Sequence, residues 1–289
     1  MTTSIDATAA GTWQLGDRTV NRMGFGAMRL PMNSDGSPRD RDTSLRVLRK
    51  AVELGINHID TAAFYFVGDL SSNEMIHAAL APYPDDLVIT TKVGPGRDKA
   101  GTFLHVSDKK ALRGQVEQNL RELGLDHLEV VNFRIGQGLE RGEGSLAEGF
   151  GALAELRQEG LIRHLGISNV HPEHLEEALA IAPVVCVQNQ YGLTTRREDD
   201  ALLAICAEHG VAFVPFFAIA GGAEQQVVSD IAEAHGVTAA QVRLAWTLHK
   251  GPNVLAIPGT GDPAHLEQNI AAAGLRLSDE DLSRLDTIG

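Results

Sequence analysis

Cysteine is nearly absent from this chain. It has only Cys186 and Cys206 in 289 residues, too few for a disulfide framework and in no CxxC pair. Cys186 lies in the apolar run Pro183–Val187 and is expected to be a buried, reduced thiol. No apolar run approaches the ~18 residues of a membrane span. The first residues, Met1–Gly11, have neither the positive start nor the apolar stretch of a signal peptide. Positive charge is also scarce: Lys and Arg number 25 against 38 Asp and Glu, a net charge of −13, and no Lys/Arg-rich run occurs. That excess argues against nucleic acid or an anionic membrane as a partner, and the missing signal peptide and membrane span make a cytoplasmic enzyme the expectation. Low-complexity stretches, short repeats and domain linkers are missing too, so residues 1–289 are expected to form one domain.

What is present is an alternation. Short apolar strands are expected at Arg22–Phe25, Asn57–Ile59, Leu87–Thr91, Leu128–Phe133, Arg163–Ile167, Val184–Val187, Val211–Pro215 and Val254–Ile257. Each is followed by a helix: Thr43–Leu54, Asn73–Leu80, Lys109–Leu123, Leu146–Gln158, Pro172–Ala180, Asp199–His209, Ala239–His249 and Pro263–Ala273. In the first helix, Leu45, Leu48 and Val52 share one face, with Arg46, Arg49 and Lys50 elsewhere. Eight such units predict an α/β fold, a closed (β/α)8 TIM barrel. A doubly wound sheet would place G-x-G-x-x-G after an early strand, but Gly24-Phe25-Gly26 is followed by Arg29 where the third glycine belongs. Outside the eightfold pattern, Thr12–Asn21 reads as an N-terminal hairpin around Gly16-Asp17. An extra helix falls within Gly221–Gly236, and a terminal helix runs over Ser278–Leu285 with Ser278 as its N-cap.

Catalytic groups of such a barrel sit where strands end. The second strand ends at Asp60, with Tyr65 five residues on; the third ends at Lys92 and the fourth at Asn132-Phe133-Arg134. An acid, a phenol and a lysine at one mouth suit carbonyl reduction. A carbonyl that receives a hydride becomes an alkoxide and needs a proton. A phenol can give it if a nearby ammonium stabilises the phenolate, and an acid can hold that ammonium. Any one of these residues alone would as readily form a structural salt bridge.

Four segments together resemble the aldo-keto reductase superfamily, in the right order from about Leu15 onward. Gly55-Ile56-Asn57-His58-Ile59-Asp60-Thr61-Ala62, with Tyr65 and Asn73-Glu74, resembles its first signature, and Ile89-Thr90-Thr91-Lys92 its lysine strand. Gly160-Leu161-Ile162-Arg163-His164-Leu165-Gly166-Ile167-Ser168-Asn169 resembles the fifth-strand signature, and Ile257-Pro258-Gly259-Thr260, with His265-Leu266 and Asn269, the cofactor-phosphate segment. The resemblance implies NADPH as cofactor and Tyr65 as general acid, with Asp60 and Lys92 as its tuning pair. It implies that Ser168, Asn169 and Gln188 hold the nicotinamide carboxamide and that Phe216 stacks on the nicotinamide. It also implies that the 2′-phosphate lies at Pro258, Gly259, Thr260, His265 and Asn269. Backbone N–H groups of Gly259–Asp262 and the next helix start suit that anion.

Two positions depart from the family pattern. Arg134 stands where most relatives carry a histidine; it cannot give up its proton, but it can orient a carbonyl oxygen or hold an anionic substrate group. The phosphate segment has Gly259 and His265 where some relatives have a basic pair. Within the superfamily, Val130-Val131-Asn132-Phe133-Arg134 and Cys186-Val187-Gln188-Asn189 resemble bacterial pyridoxal reductases, implying reduction of pyridoxal to pyridoxine. The alternative is a cofactor-binding regulatory or redox-sensing subunit with slow turnover, for which the missing histidine leaves room. Specificity is expected in the loops Phe66–Ser72, Gly94–Ser107, Gly136–Gly144 and Ala218–Gln226. His171-Pro172-Glu173-His174 reads as a helix start without a third metal ligand, and Glu122, Asp126 and Glu129 as solvated.

Overall fold

Seven parallel strands, each hydrogen-bonded to its neighbour in sequence, form one curled sheet. They are β1 (Phe25–Gly26), β2 (His58–Asp60), β3 (Val88–Val93), β4 (Leu128–Arg134), β5 (Ile162–Ser168), β6 (Val184–Gln188) and β7 (Ala212–Phe213). This is seen in a computed structural model that describes residues 5–97, 102–136, 138–195, 197–219 and 226–288. Residues 254–256 close the ring: Val254 pairs in parallel with Phe213 on one side, and Ala256 with Met23 on the other. The expected first, seventh and eighth strands are thus shorter ladders than their apolar runs. Hydrogen bonds still cross the seam, from Leu255 N to Phe213 O at 3.0 Å and from Gly24 N to Ala256 O at 2.8 Å.

Ten helices are described: α1 (Arg41–Glu53), α2 (Ser72–Leu80), α3 (Lys109–Leu123), α4 (Ala147–Gln158), α5 (Pro172–Ile181), α6 (Asp200–Glu208), α7 (Gln226–His235), α8 (Ala239–His249), α9 (Pro263–Ala271) and α10 (Asp279–Asp286). Side-chain caps set several starts: Asp40 accepts from Thr43 N, Asp108 from Ala111 N, and Ser278 shares a capping box with Asp281. The extra helix and the terminal helix are α7 and α10; α7 packs on both α8 and α10. No helix among the described residues is long and apolar enough to cross a membrane.

The expected hairpin, Thr12–Leu15 paired with Arg18–Asn21, plugs the barrel where its strands begin. Leu15 and Val20 are fully buried against the interior residues Val88, Val130, Cys186, Ala212, Val214 and Leu255. Its turn is pinned by Asp17, which bonds Arg163 at 2.5 Å and His164 at 2.6 Å on β5. With that end filled by apolar side chains, the opening lies at the C-terminal ends of the strands. Two short hairpins not anticipated from the loop sequences line it, Phe66–Val67 with Leu70–Ser71 and Pro95–Arg97 with Phe103–His105.

Candidate active site

Along the barrel interior, polar residues replace apolar ones as the strands approach the mouth. Asp60 and Lys92 are 3% exposed, so each charge needs a partner. Lys92 Nζ donates to Asp60 Oδ1 at 2.5 Å and to the Thr61 carbonyl at 3.1 Å. Burial works against the Lys92 charge, but the attraction of Asp60 and its interaction with Tyr65 outweigh it, holding the ammonium above the usual lysine range. The same Nζ lies 4.9 Å from the centre of the Tyr65 ring. Tyr65 is carried by the turn after β2, where its N–H donates to Ala62 O and its carbonyl accepts from Ser72 N. Asp60 Oδ2 accepts from Gln188 Nε2 at 2.8 Å, which ties β2 to β6 across the interior.

Asp60, Tyr65, Lys92, Arg134 and Phe216 line one cavity of about 610 Å³, together with Pro258 and Gly259 from the eighth-strand loop. Most of its remaining wall is apolar: Met28, Met32, Phe64, Leu139, Phe217 and Ile219. Arg29 and Arg97 also face it, so four cations meet one carboxylate there, already paired. Arg134 Cζ lies 4.9 Å from the Phe216 ring centre, and its Nη2 donates to Gly138 O at 2.6 Å. Its Nη1 lies 3.4 Å from Ser168 Oγ.

The expected carboxamide set also converges. Ser168 pairs in register with Arg134 on one side and Gln188 on the other, and Ser168, Asn169 and Gln188 are all buried. Gln188 Oε1 is buried with no partner, an acceptor of the kind a carboxamide NH2 would fill. Asn169 takes a positive φ of 65°, and its amide nitrogen is committed to Ile135 O and Glu140 O, so its oxygen is the atom suited to a ligand. The donors Gln188 Oε1 lacks, the Phe216 face and the adjoining cavity fit a nicotinamide.

At the far end of the site, the segment expected to hold the phosphate makes hydrogen bonds within itself. Thr260 and Asn269 are buried and His265 is exposed at the start of α9. The backbone donors expected to hold the phosphate are partly taken. Asp262 Oδ1 accepts from Ala264 N at 2.8 Å and His265 N at 3.1 Å, and Thr260 Oγ1 accepts from Asp262 N at 3.0 Å. Asp262 is this helix's own N-cap, so its carboxylate stands where an anion was expected.

The acidic cluster differs from its sequence reading, and the histidine cluster is the helix start it was read as. Glu122 is half-buried: it accepts from Asn73 at 3.0 Å and Gln118 at 2.7 Å, and burial lifts its carboxyl above the usual range. Glu129 is half-buried with Oε2 unpartnered; only Asp126 is exposed. Through Asn73 the Glu122 network reaches the site, because Thr61 Oγ1 donates to Asn73 Oδ1 at 2.8 Å and Asn119 receives Thr91 at 2.6 Å. The Asn73-Glu74 pair in the first motif was the available signal. His174 is a cap: Nδ1 accepts from His171 N at 2.9 Å and Nε2 bonds Gly144 O at 2.8 Å. Cys186 is buried and free as expected, its thiol pushed up to about 12 by burial and donating to Asn132 Oδ1 at 3.0 Å.

Residues 22–289 match the model of the aldo/keto reductase family. The chain is similar to pyridoxine 4-dehydrogenase of Escherichia coli (strain K12), with 46% identity covering 97% of this chain and 99% of that one. A thermostable aldo-keto reductase solved with the inhibitor epalrestat superposes with a TM-score of 0.81 at 30% identity, covering 96% of this chain and 99% of the other. An aldo-keto reductase from Klebsiella pneumoniae in complex with NADPH superposes with a TM-score of 0.79 at 28% identity, covering 96% and 94%. The closed barrel, the polar cluster at its mouth and these similarities agree: this chain belongs to the aldo/keto reductase family.

Proposed function

We propose that this enzyme reduces an aldehyde or ketone to an alcohol with NADPH, and that pyridoxal is a substrate, giving pyridoxine. Residues 1–289 act as one unit in the cytoplasm on a small molecule. The observation that carries the reading is the Asp60–Lys92 ion pair beneath Tyr65, at the floor of a cavity large enough for a ring-bearing substrate. The substrate is supported by the 46% identity to a relative named for oxidising pyridoxine.

NADPH, when bound, supplies the hydride. Gln188, Ser168 and Asn169 fix the carboxamide, and Phe216 gives the ring an apolar face. Tyr65 donates its hydroxyl proton to the carbonyl oxygen as negative charge develops there. Lys92 stabilises the phenolate left behind, and Asp60 holds Lys92 in place while keeping it charged. Arg134 sets the orientation of the carbonyl oxygen, or pairs with an anionic group beside it, through a guanidinium that stays protonated. The intact Asp60, Tyr65 and Lys92 set argues for turnover against the regulatory-subunit alternative.

The test is oxidation of NADPH, followed by absorbance, with pyridoxal, nitrobenzaldehyde and a panel of ketones. Pyridoxal turnover with pyridoxine as product is expected. Turnover of simple aldehydes but not pyridoxal would remove the substrate; turnover of none would remove the reductase reading.

A further inference from the structure

The 2′-phosphate is what separates NADPH from NADH, and the segment expected to hold it is poor in positive charge. From Gly251 to Leu275 the chain contains no lysine or arginine. The N–H groups of Asp262, Ala264 and His265 are taken by side chains of the same loop, and Pro263 has none. Asp262 adds a carboxylate, held below the usual range first by its bond from His265 N–H and further by the nearby charge of Arg39. His265 is the one basic side chain of the loop. A dianionic phosphate arriving there would meet a carboxylate and a set of donors reduced by these bonds.

A fixed cation reaches this place from elsewhere in the chain. Arg39 precedes the Asp40 cap of α1, and its guanidinium lies along Gly261. Nη1 donates to Gly261 O at 3.2 Å, and Nε and Nη2 donate to Met32 O at 3.3 and 3.2 Å. A Cβ at position 261 would stand 2.2 Å from Arg39 Nε, so glycine there is what lets the arginine cross the loop. A guanidinium carries five N–H donors. Three are engaged by carbonyls, which orient the group without neutralising it, and the other two sit on the terminal nitrogens that suit a phosphate oxygen pair.

We propose that Arg39, from the loop before α1, reads the 2′-phosphate and so sets the preference for NADPH. This rests on the cofactor reading above. Arg39 also offsets the Asp262 carboxylate, which is free to cap α9 without turning the phosphate away.

The test measures dissociation constants for NADPH and NADH by quenching of intrinsic fluorescence, in the native enzyme and in Arg39→Gln, Arg39→Lys and Gly261→Ala. Loss of charge-assisted hydrogen bonds is expected to weaken NADPH by about tenfold or more in Arg39→Gln. NADH affinity should stay within about twofold, which also reports that the site is intact. Arg39→Lys should keep part of the preference, and Gly261→Ala, which displaces the arginine without removing it, should behave like Arg39→Gln. Added KCl should weaken NADPH more steeply in the native enzyme than in Arg39→Gln. Equal weakening of both cofactors would make Arg39 only a tether between two loops and overturn the proposal, as would an unchanged NADPH affinity. A native enzyme that binds both cofactors equally would overturn the NADPH reading itself. A native preference that survives Arg39→Gln would overturn only the role of Arg39.

Discussion

Gln188 Nε2 donates to Asp60 Oδ2 at 2.8 Å, while Oε1 of the same amide is buried without a partner. One side chain therefore steadies the acid that holds Lys92 and keeps an unpartnered acceptor of the kind a carboxamide would fill. Gln188→Leu, similar in volume, should do two things. It should leave Asp60 Oδ2 unsatisfied, at a cost of roughly 1–3 kcal/mol in stability, and weaken NADPH by about tenfold. Thermal melts and fluorescence titration measure the two effects. A lower melting temperature with unchanged NADPH affinity would assign Gln188 to the ion pair alone.

His58 lies two residues before Asp60 and is fully buried, with Nε2 bonded to Thr90 Oγ1 at 3.2 Å and Nδ1 unpartnered. Burial pushes its pKa down to about 4; the Asp60 charge opposes this and the Lys92 charge adds to it. In the unfolded chain the imidazole titrates near ~6.5. The unfolded state therefore binds the extra proton first as pH falls. The contribution is complete above pH ~6.5 and is lost as pH drops through the window down to about 4, amounting to roughly 3 kcal/mol. Urea midpoints at pH 7, 5.5 and 4.5 should fall more steeply for the native enzyme than for His58→Gln. Parallel curves would remove His58 as the source.

The barrel was legible because its signal is local: apolar runs alternating with one-faced helices, and caps such as Ser278. Asp60 and Lys92 were legible because each ends a strand, and barrel strands end at the site. Arg39 was not, since nothing in its own segment says that it will cross Gly261, 222 positions away in the chain. Glu122 read as a surface charge because its partners, Asn73 on α2 and Gln118 on its own helix, become meaningful only once α2 and α3 pack. The capture of the α9 donors by Asp262 was foreseeable in principle. An Asp before Pro263 is a cap, and a cap competes with any anion for the same N–H groups.

Gly166 tests how tightly the barrel interior is built. On β5 it faces Asn132 on β4 and Cys186 on β6. An added Cβ would fall 2.0 Å from Asn132 Oδ1, 2.6 Å from Cys186 Sγ and 2.8 Å from the Cys186 carbonyl. The last contact is with backbone and cannot be relieved by a rotamer. Gly166→Ala should destabilise by about 1–3 kcal/mol or more, lowering the melting temperature by several degrees. Gly151→Ala is the control: on α4 its added Cβ meets nothing within 4 Å, so helix propensity should stabilise by up to ~1 kcal/mol. Equal melting temperatures for the two variants would contradict this account of the interior.

Proton donation separates Tyr65 from Arg134, which share one cavity. Tyr65 lies beside an ammonium that Asp60 keeps charged, and in the proposed mechanism it is the group that gives up a proton. Arg134 is committed to Gly138 O and leans on Phe216, and a guanidinium does not release a proton. The hydroxyl acts only as charge develops on the carbonyl oxygen, so its loss should appear in kcat and not in cofactor binding. Tyr65→Phe should lower kcat by roughly 10²–10⁴-fold, the span of general acid catalysis, with NADPH affinity nearly unchanged. Arg134→Ala should instead raise KM and lower kcat by less, because it removes an orienting group and leaves the proton donor in place. Lys92→Met, which strips the phenolate of its counter-charge, should resemble Tyr65→Phe in kcat; the buried Asp60 it leaves unpaired should lower the melting temperature as well. Steady-state kinetics on the three variants with one good aldehyde separate the roles. Near-full turnover in Tyr65→Phe would overturn the mechanism, since Arg134 does not release its proton and Asp60 and Lys92 are committed to each other.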